Sequence, residues 1–259
     1  MTYLVAVTGK GGTGKTTVSA FLVRLLLEKG LRPVLAVDAD PNSSLAPLLG
    51  LRPGPTIGDI REEVLKEKEK MSGVPKRTIL EMKFEECILE TQGFDLLTMG
   101  RSEGPGCYCY VNSLLRGALS TLKSNYRAVV VDNEAGMEHL SRMNASNIHC
   151  LVTVCEPSMA SARAADRILD LSKSLSIAVR RRVMVWNKVR PSAGVPEAVR
   201  GLLAGNAFDD TVVLPADEQV EQLCAMEQSV FDVPMPQEFT GLLDACVLES
   251  KAQSADVKG

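Results

Sequence analysis

Short apolar segments alternate along the chain with longer stretches in which apolar residues recur at helical spacing. Near-continuous apolar runs such as Val129-Val130-Val131 are typical of strands buried on both faces of a parallel sheet. The predicted strands are Tyr3–Thr8, Pro33–Asp38, Phe94–Met99, Ala128–Asp132, Cys150–Cys155, Val183–Asn187 and Thr211–Leu214. The predicted helices are clearest at Val18–Glu28, Ser113–Lys123, Ser158–Leu175 and Gln237–Leu248. This alternation predicts an α/β fold, a doubly wound and mainly parallel sheet with helices on both faces and ligands at the carboxyl ends of the strands.

Two regions depart from this alternation. Residues 58–90 form a charged, helix-prone insertion, which we interpret as a solvated helical face. The tail from Ser250 is small and polar, as is typical of a frayed end. A chain of 259 residues is long enough for one α/β domain with a large core, so we expect a single domain over residues 1–259.

The strongest indication of function is a glycine-rich segment between the first strand and the first helix. Its sequence is Gly9-Lys10-Gly11-Gly12-Thr13-Gly14-Lys15-Thr16-Thr17. Glycines let backbone N–H groups turn inward around an anion, and the following helix directs its positive end at the same point. Lys15 is placed to reach the β- and γ-phosphates of a nucleotide, and the Thr16 hydroxyl to ligate Mg²⁺. The segment therefore predicts a nucleoside triphosphate site contacted by Gly11, Gly12, Thr13, Gly14, Lys15, Thr16 and Thr17.

The same segment also satisfies the dinucleotide fingerprint G-x-G-x-x-G, through Gly9, Gly11 and Gly14. Asp38 even ends the next strand, roughly where an acid that binds a ribose would be expected. Lys15-Thr16 nevertheless completes G-x-x-x-x-G-K-[ST], and a dinucleotide site needs no lysine there. The triphosphate interpretation is therefore favoured.

Acidic residues close two of the predicted strands. Asp38 and Asp40 end the second strand, where a carboxylate can hold Mg²⁺ or orient a water for in-line attack, although Asp40-Pro41 is also typical of an ordinary turn. Asp132 ends a later strand, as the acid of a Walker B motif does. Gly136 follows four residues on, a spacing that fits a switch sensing the γ-phosphate.

Asn187 ends another predicted strand. Its side-chain amide could contact the donor and acceptor edge of a nucleotide base. A strand-end asparagine is as often a cap, and that alternative stays open.

Charge and composition limit the functions that the chain can have. A net charge of −3 disfavours sequence-independent binding of nucleic acid. Arg24 interrupts the longest early apolar run, so no span of a bilayer is expected, and the chain enters its first strand without a signal peptide. We therefore expect a cytoplasmic protein that binds neither nucleic acid nor membrane. Most of the seven cysteines are expected to be buried thiols, and His149 a structural residue.

One cysteine pair is set apart by its surroundings. Cys107 and Cys109 follow Gly104-Pro105-Gly106 and precede a helical pattern. A Cys-x-Cys loop supplies two thiolates, and two copies across a two-fold axis would complete a four-thiolate site at a dimer interface. Soft thiolates favour Ni²⁺, Zn²⁺ or an iron–sulfur cluster. A redox-sensitive thiol pair remains the alternative.

A second lysine in the loop suggests a family. The pattern K-G-G-x-G-K-[ST]-T, with Lys10 as its first residue, resembles the deviant Walker A motif of the MinD and nitrogenase-iron-protein class of ATPases. The resemblance implies a P-loop ATPase that binds ATP as a homodimer, with Lys10 contacting phosphates in the opposite subunit. It further implies that Lys10, Lys15 and Asp40 are catalytic, Asp40 by positioning the attacking water.

Within that class, three features together resemble one subgroup. They are the deviant loop, the Cys-x-Cys pair before Asn112-Ser113, and the stretch from Asp132 to His139. They are similar to the accessory ATPases for nickel insertion into carbon monoxide dehydrogenase, the CooC type, and to relatives serving acetyl-CoA synthase. The resemblance implies that Cys107 and Cys109 hold Ni²⁺, or Zn²⁺ at the same thiolates, for transfer to one of these client apo-enzymes. Glu138 and His139 could assist the metal or could begin a capped helix.

Two other functions of such ATPases fit the sequence less well. A MinD- or ParA-like positioning ATPase would require a basic amphipathic helix or a basic surface, whereas Gly241–Gly259 has few basic residues. An ATP-dependent reductase with an iron–sulfur cluster would require two separated cysteines per chain, and none lies close to Asp132 in sequence. Both alternatives are disfavoured.

Overall fold

The sheet and its flanking helices follow the predicted alternation. The computed structural model of the protein describes residues 2–66, 83–100, 117, 125–134, 147–174, 178–205 and 208–247. The strands are β1 Tyr3–Gly9, β2 Val34–Ala39, β3 Ile88–Glu90, β4 Phe94–Thr98, β5 Ala128–Asn133, β6 Asn147–Cys155, β7 Ala178–Val189 and β8 Asp210–Pro215. The helices are α1 Lys15–Glu28, α2 Leu45–Leu48, α3 Ile57–Lys66, α4 Met159–Ser174, α5 Glu197–Leu203, α6 Glu218–Ala225 and α7 Gln237–Val247.

The eight strands form one sheet in the order β3-β4-β2-β5-β1-β6-β7-β8. All neighbouring pairs are parallel except β3 and β4, which are antiparallel. Each of the seven predicted strands is present, so the predicted fold class is confirmed. Because β1 lies between β5 and β6, the carboxyl ends of these three strands converge on the loop that follows β1.

Helices cover both faces of the sheet. Alternate residues of β1 face opposite sides, as strand geometry requires. Val5 and Val7 pack in one apolar cluster with residues of α1 and α7. Leu4 and Ala6 pack in a second cluster with residues of α3 and α4. Because helices cover both faces of the sheet, residues that point to either face of a central strand are buried, and the strand is therefore continuously apolar in sequence.

The differences from the predicted elements are local. Helix α1 begins at Lys15 rather than Val18, because Gly14 is its N-cap in a left-handed conformation. The insertion predicted as helical contains α3 but ends in strand β3. Helices α2, α5 and α6 and strand β3 were not predicted. The predicted helix at Ser113–Lys123, save Gly117, and the tail from Ser250 lie outside the described residues.

Candidate functional site

The glycine-rich loop lies between the carboxyl end of β1 and the first turn of α1. Gly9 has φ 149°, and a Cβ there would overlap the carbonyl oxygen of Val154 on β6. Gly14 has φ 90°, and a Cβ there would overlap the side-chain amide of Asn187. Both positions combine a positive φ with a close neighbour, so a glycine is required at each. The loop is thereby held against the carboxyl edge of the sheet.

Three carbonyl oxygens of the loop accept hydrogen bonds from side chains. The Thr13 hydroxyl donates to the Lys10 carbonyl at 2.8 Å, which closes a turn within the loop. Asn187 Nδ2 donates to the Thr13 carbonyl at 2.8 Å, and Lys188 Nζ donates to the Gly12 carbonyl at 2.7 Å. The backbone of the loop is therefore fixed from outside as well as from within.

The two lysines of the motif differ in their exposure. Lys15 lies in the first turn of α1 and is only 7% exposed. Lys10 lies on the surface, together with Gly11 and Gly12. Lys15 is therefore placed to contact an anion bound in its own loop, whereas Lys10 is accessible to a second molecule.

Asp132 lies near the end of β5, and its side chain is completely buried. Its Oδ1 accepts a hydrogen bond of 3.0 Å from the Ser19 hydroxyl on α1, while its Oδ2 has no hydrogen-bond partner among the described residues. Burial raises the pKa of Asp132 to about 6, although the Thr16 and Ser19 hydroxyls and the charge of Lys15 favour the ionised form. A buried carboxylate oxygen without a donor is suited to a cation.

Asp38 lies opposite Asp132 in the register of β2 and β5. It is also completely buried, and its two carboxylate oxygens accept hydrogen bonds from the backbone N–H groups of Leu45 at 2.9 Å and Asp40 at 3.2 Å. Burial raises the pKa of Asp38 to about 7, and the nearby Asp132 adds to the rise. Because Asp38 does not reach the surface, it is not placed to bind a ribose hydroxyl as the dinucleotide alternative requires.

Asp40 lies where the chain leaves β2. Its Oδ1 accepts two hydrogen bonds of 2.9 Å from Asn42, one from the backbone N–H and one from Nδ2. Ser43, with φ 53°, then turns the chain toward α2. This turn holds Asp40 at the rim of the cleft described next.

An open cleft of about 640 Å³ lies at the carboxyl edge of the sheet. Its lining residues are Gly11, Gly12, Gly14, Lys15, Thr16, Thr17, Asp40, Asn42, Ser44, Glu134, Asn187, Lys188, Pro215, Asp217, Val220, Glu221 and Cys224. Eight residues of the predicted site are among them. Of the others, Thr13, Asp38 and Asp132 are buried next to the lining residues, and Lys10 is on the exposed outer turn.

The far wall of the cleft was not predicted. It is formed by the end of β8 and by α6, and it includes Pro215, Asp217, Val220 and Glu221. Asp217 caps α6 by accepting hydrogen bonds from two backbone N–H groups of its first turn. An aspartate at this position is a sequence signal for the start of a helix, so α6 could have been predicted from it. The position of α6 beside the cleft could not, because a capping residue carries no information about packing.

Helix α6 also contacts the beginning of α1. The Cys224 thiol lies 3.2 Å from the Thr17 hydroxyl, within hydrogen-bond distance. This contact joins the phosphate-loop helix to the far wall of the cleft.

Asn187 lies near the end of β7 and is 8% exposed. It lines the cleft, and its Nδ2 donates to the Thr13 carbonyl rather than being free for the predicted base. Contact with a base stays a prediction for its Oδ1. His149 has a structural role as expected, because its Nδ1 accepts the Leu4 N–H at 3.1 Å.

Cys107 and Cys109 lie outside the described residues, as do Gly136, Glu138 and His139. Among the residues that the structure does describe, no group of three or more His, Cys, Asp and Glu side chains is arranged to hold a metal ion. Cys87, Cys150, Cys155 and Cys246 are buried free thiols, as expected.

None of the helices in the described ranges combines the length and the apolar character needed to cross a membrane.

Comparisons with known proteins agree with the fold and the loop. Residues 4–230 match the family described as the CobQ/CobB/MinD/ParA nucleotide binding domain. An uncharacterized ATP-binding protein of Methanocaldococcus jannaschii is 41% identical over 191 residues, covering 73% of this chain and 75% of that protein. The carbon monoxide dehydrogenase accessory protein CooC of Rhodospirillum rubrum is 35% identical over 191 residues, covering 67% and 70%.

Solved structures share the whole architecture. The septum site-determining protein MinD of Pyrococcus horikoshii, complexed with Mg-ADP, superposes with a TM-score of 0.67 at 21% identity and covers 98% of each chain. At that identity the likeness concerns the fold.

Proposed function

The chain belongs to the CobQ/CobB/MinD/ParA family of nucleotide-binding domains, and we propose that it is a dimeric ATPase that delivers nickel to an apo-enzyme. In this proposal ATP hydrolysis drives the transfer of Ni²⁺ from an intersubunit Cys-x-Cys site to carbon monoxide dehydrogenase or acetyl-CoA synthase. The observation that carries the ATPase part is the buried Lys15 at the start of α1, whose charge acts on the Asp132 carboxylate, and the Asp132 Oδ2 that has no hydrogen-bond partner among the described residues.

ATP would bind with its phosphates in the glycine-rich loop. The N–H groups at the start of α1 and the Lys15 amine supply positive charge to the β- and γ-phosphates. The Thr16 hydroxyl and the Asp132 carboxylate would hold Mg²⁺, with Asp38 paired in register with Asp132, and the ion would neutralise phosphate charge. The Mg-ADP complex of a fold relative supports this assignment.

The far wall of the cleft is suited to the nucleoside. Pro215 and Val220 offer apolar surface to a base, and the Asp217 and Glu221 side chains offer acceptors to ribose hydroxyls. Asn187 also lines the cleft, and its amide oxygen can accept from an exocyclic amine.

Hydrolysis would require the rim of the cleft and a second subunit. Asp40 lies at that rim and is the residue best placed to orient a water for attack on the γ-phosphate. Lys10 is exposed on the outer turn of the loop, where it would add positive charge to the transition state in the partner subunit.

The nickel part of the proposal is supported by sequence. Two thiolates from Cys107 and Cys109 of each subunit would form a four-thiolate site on the two-fold axis, with Zn²⁺ competing for the same ligands. A relative named as a carbon monoxide dehydrogenase accessory protein, at 35% identity, supports nickel as the cargo.

A metal titration with two sets of variants tests both parts. We expect the wild type to hydrolyse ATP and to bind about one Ni²⁺ per dimer. Replacing Cys107→Ser together with Cys109→Ser should abolish metal binding and leave ATP binding intact, whereas Lys15→Ala should abolish hydrolysis and leave metal binding intact. Cys87→Ala is the matched control, because its buried thiol lies outside the cleft.

The outcomes separate the candidate functions. Stoichiometric nickel in the double cysteine variant would refute the proposed site. ATP-dependent binding to DNA or to anionic vesicles, without metal binding, would indicate a positioning ATPase instead.

A further inference from the structure

Asn187 and Lys188, two consecutive residues of β7, hold two consecutive carbonyl groups of the glycine-rich loop. Asn187 Nδ2 donates to the Thr13 carbonyl at 2.8 Å, and Lys188 Nζ donates to the Gly12 carbonyl at 2.7 Å. We call this pair of residues the carbonyl clamp. In a regular strand, consecutive side chains point to opposite faces, so the two could not reach the same loop.

The register of β7 explains how both side chains reach the loop. Trp186 pairs with Val213 of β8 and Val189 pairs with Pro215, so Asn187 and Lys188 together oppose the single residue Leu214. This is a bulge, which redirects side chains, and bulges are frequent next to functional sites.

The backbone of Lys188 is unusual in the same place. Its φ of 56° lies in the left-handed region, which a long side chain without a local hydrogen bond to compensate seldom adopts. Such conformations persist where surrounding interactions determine them, and they cluster at ligand sites. A bulge and a strained lysine at one point indicate that the position of the Lys188 amine is functionally constrained.

A second contact fixes the amine from the other side. Lys188 Nζ forms an ion pair of 2.8 Å with Glu156 Oε1, just after the end of β6. The amine therefore contacts both the glycine-rich loop, at the Gly12 carbonyl, and the segment that follows β6, at Glu156.

The consequence concerns the N–H groups of the loop. A peptide unit is planar and trans, so its C=O and N–H point in opposite directions. Holding the carbonyls of Gly12 and Thr13 therefore fixes the directions of the N–H groups of Thr13 and Gly14. The Thr13 N–H donates to the Lys10 carbonyl at 3.4 Å within the loop, so the Gly14 N–H is the one of the two that is left to meet an anion. A glycine-rich loop without such anchors would have to lose this rotational freedom when an anion binds.

We propose that the carbonyl clamp is a positioning device that fixes the backbone of the loop and directs the Gly14 N–H for the β-phosphate before the nucleotide arrives. Lys188 is in this sense a positioning residue: it acts on the phosphate through the backbone of the loop. The proposal rests on the nucleotide site proposed above and adds to it a residue outside the loop motif.

Nucleotide affinities of Lys188 variants test the clamp. We expect Lys188→Met to raise the Kd for ADP about tenfold, as loss of a charge-assisted hydrogen bond on a half-exposed group would. The Kd for AMP should stay unchanged, because its single phosphate is not the one that the loop holds. Lys188→Arg should restore most of the ADP affinity. Lys188→Asn, whose side chain tolerates a left-handed backbone, should weaken ADP binding as the methionine variant does, without backbone strain.

Two further variants separate the clamp from general charge effects. Glu156→Gln keeps the Lys188 amine and should raise the Kd for ADP less than Lys188→Met does. Lys173→Met removes an exposed lysine paired with Asp170 on α4 and should leave both affinities unchanged. Equal ADP affinities for the wild type, Lys188→Met and Lys188→Asn would overturn the clamp.

Amide hydrogen exchange of the nucleotide-free protein decides the clamp independently of the proposed function. The clamp predicts faster exchange in the peptide covering residues 10–14 of Lys188→Met than in the wild type. Unchanged exchange there would refute the clamp, even in a protein that binds ADP. Failure of the wild type to bind ADP would instead refute the nucleotide site, and the exchange rates would still decide the clamp.

Discussion

Gly9 is the loop residue at which a side chain is least tolerated. Its φ is positive, and a Cβ would overlap a backbone oxygen of β6, which cannot move without disturbing the sheet. Gly30 also has a positive φ of 75°, but nothing lies within 4 Å of the place its Cβ would take. An alanine at Gly9 would therefore suffer both backbone strain and steric overlap, whereas an alanine at Gly30 would suffer backbone strain alone.

We expect Gly9→Ala to lower the free energy of unfolding by about 2–4 kcal/mol, because strain and overlap add. Gly30→Ala, with strain alone, should cost about 1 kcal/mol. Urea unfolding followed by circular dichroism measures both. An equal loss of unfolding free energy in the two variants would show that β6 shifts to accommodate the added methyl group, and would contradict the overlap.

The residues that could be predicted are those whose neighbours in sequence are also their neighbours in space. Lys15 and Thr16 follow the glycines directly, so the strand–loop–helix context alone placed them in the cleft. Lys188 could not be predicted as a loop contact, because a bulge in a distant strand brings it to Gly12. The same reason explains the different partner of the Asn187 amide.

At the scale of elements, the parallel pairing of β2 and β5 brings two carboxylates together. Asp38 and Asp132 are partners in register, both are completely buried, and burial raises both pKa values, to about 7 and about 6. Each folded-state pKa lies above the ordinary value of 3.8, so the folded protein binds more protons than the unfolded chain between these values.

We therefore expect the free energy of unfolding of the nucleotide-free protein to fall as the pH rises from 4 to about 7, by about 1.4 kcal/mol for each pKa unit that these groups are shifted. Above about pH 7 the slope from these two groups should vanish. The Asp38→Asn variant should show a shallower slope than the wild type between pH 4 and 7. Urea unfolding at pH 5, 6, 7 and 8 measures the slopes, and parallel curves for the two proteins would contradict the assignment.

Elements with a strong local pattern were predicted, and those without one were not. The six inner strands of the sheet, and β8 at one edge, contain apolar runs, and the helix at Gln237–Val247 has clear spacing. Strand β3 is three residues long, lies at the edge and follows a charged stretch, so its pattern is too short to detect. Helix α6 forms the far wall through contacts between residues far apart in sequence, which no local pattern records.

At the scale of the whole molecule, the two loop lysines differ in a way that fits the proposed division of roles between two subunits. Lys15 is buried beside its own cleft and Lys10 is exposed. If each site takes its Lys10 from the partner, one intact site remains in a mixed dimer of Lys10→Ala and Lys15→Ala subunits. The Lys10→Ala subunit keeps its own Lys15 and receives Lys10 from the other.

We expect each variant alone to be inactive, and an equimolar mixture to recover about one quarter of the wild-type ATPase rate, since half of the dimers are mixed and each has one working site. Steady-state phosphate release at several mixing ratios measures this, with the maximum at equal amounts. A mixture as inactive as its components would contradict a role of Lys10 in the opposite subunit.

The position of β1 in the sheet also sets an order of events during synthesis. Tyr3 pairs with Ala128 and Val5 with Cys150, so both neighbours of the first strand are made long after it. At a translation rate of about 5–20 residues per second, Ala128 leaves the ribosome on the order of ten seconds after Tyr3. During that interval the apolar first strand and the lysine-bearing loop behind it are part of a nascent chain without a sheet to join. The nucleotide site can therefore form only after more than half of the polypeptide has emerged.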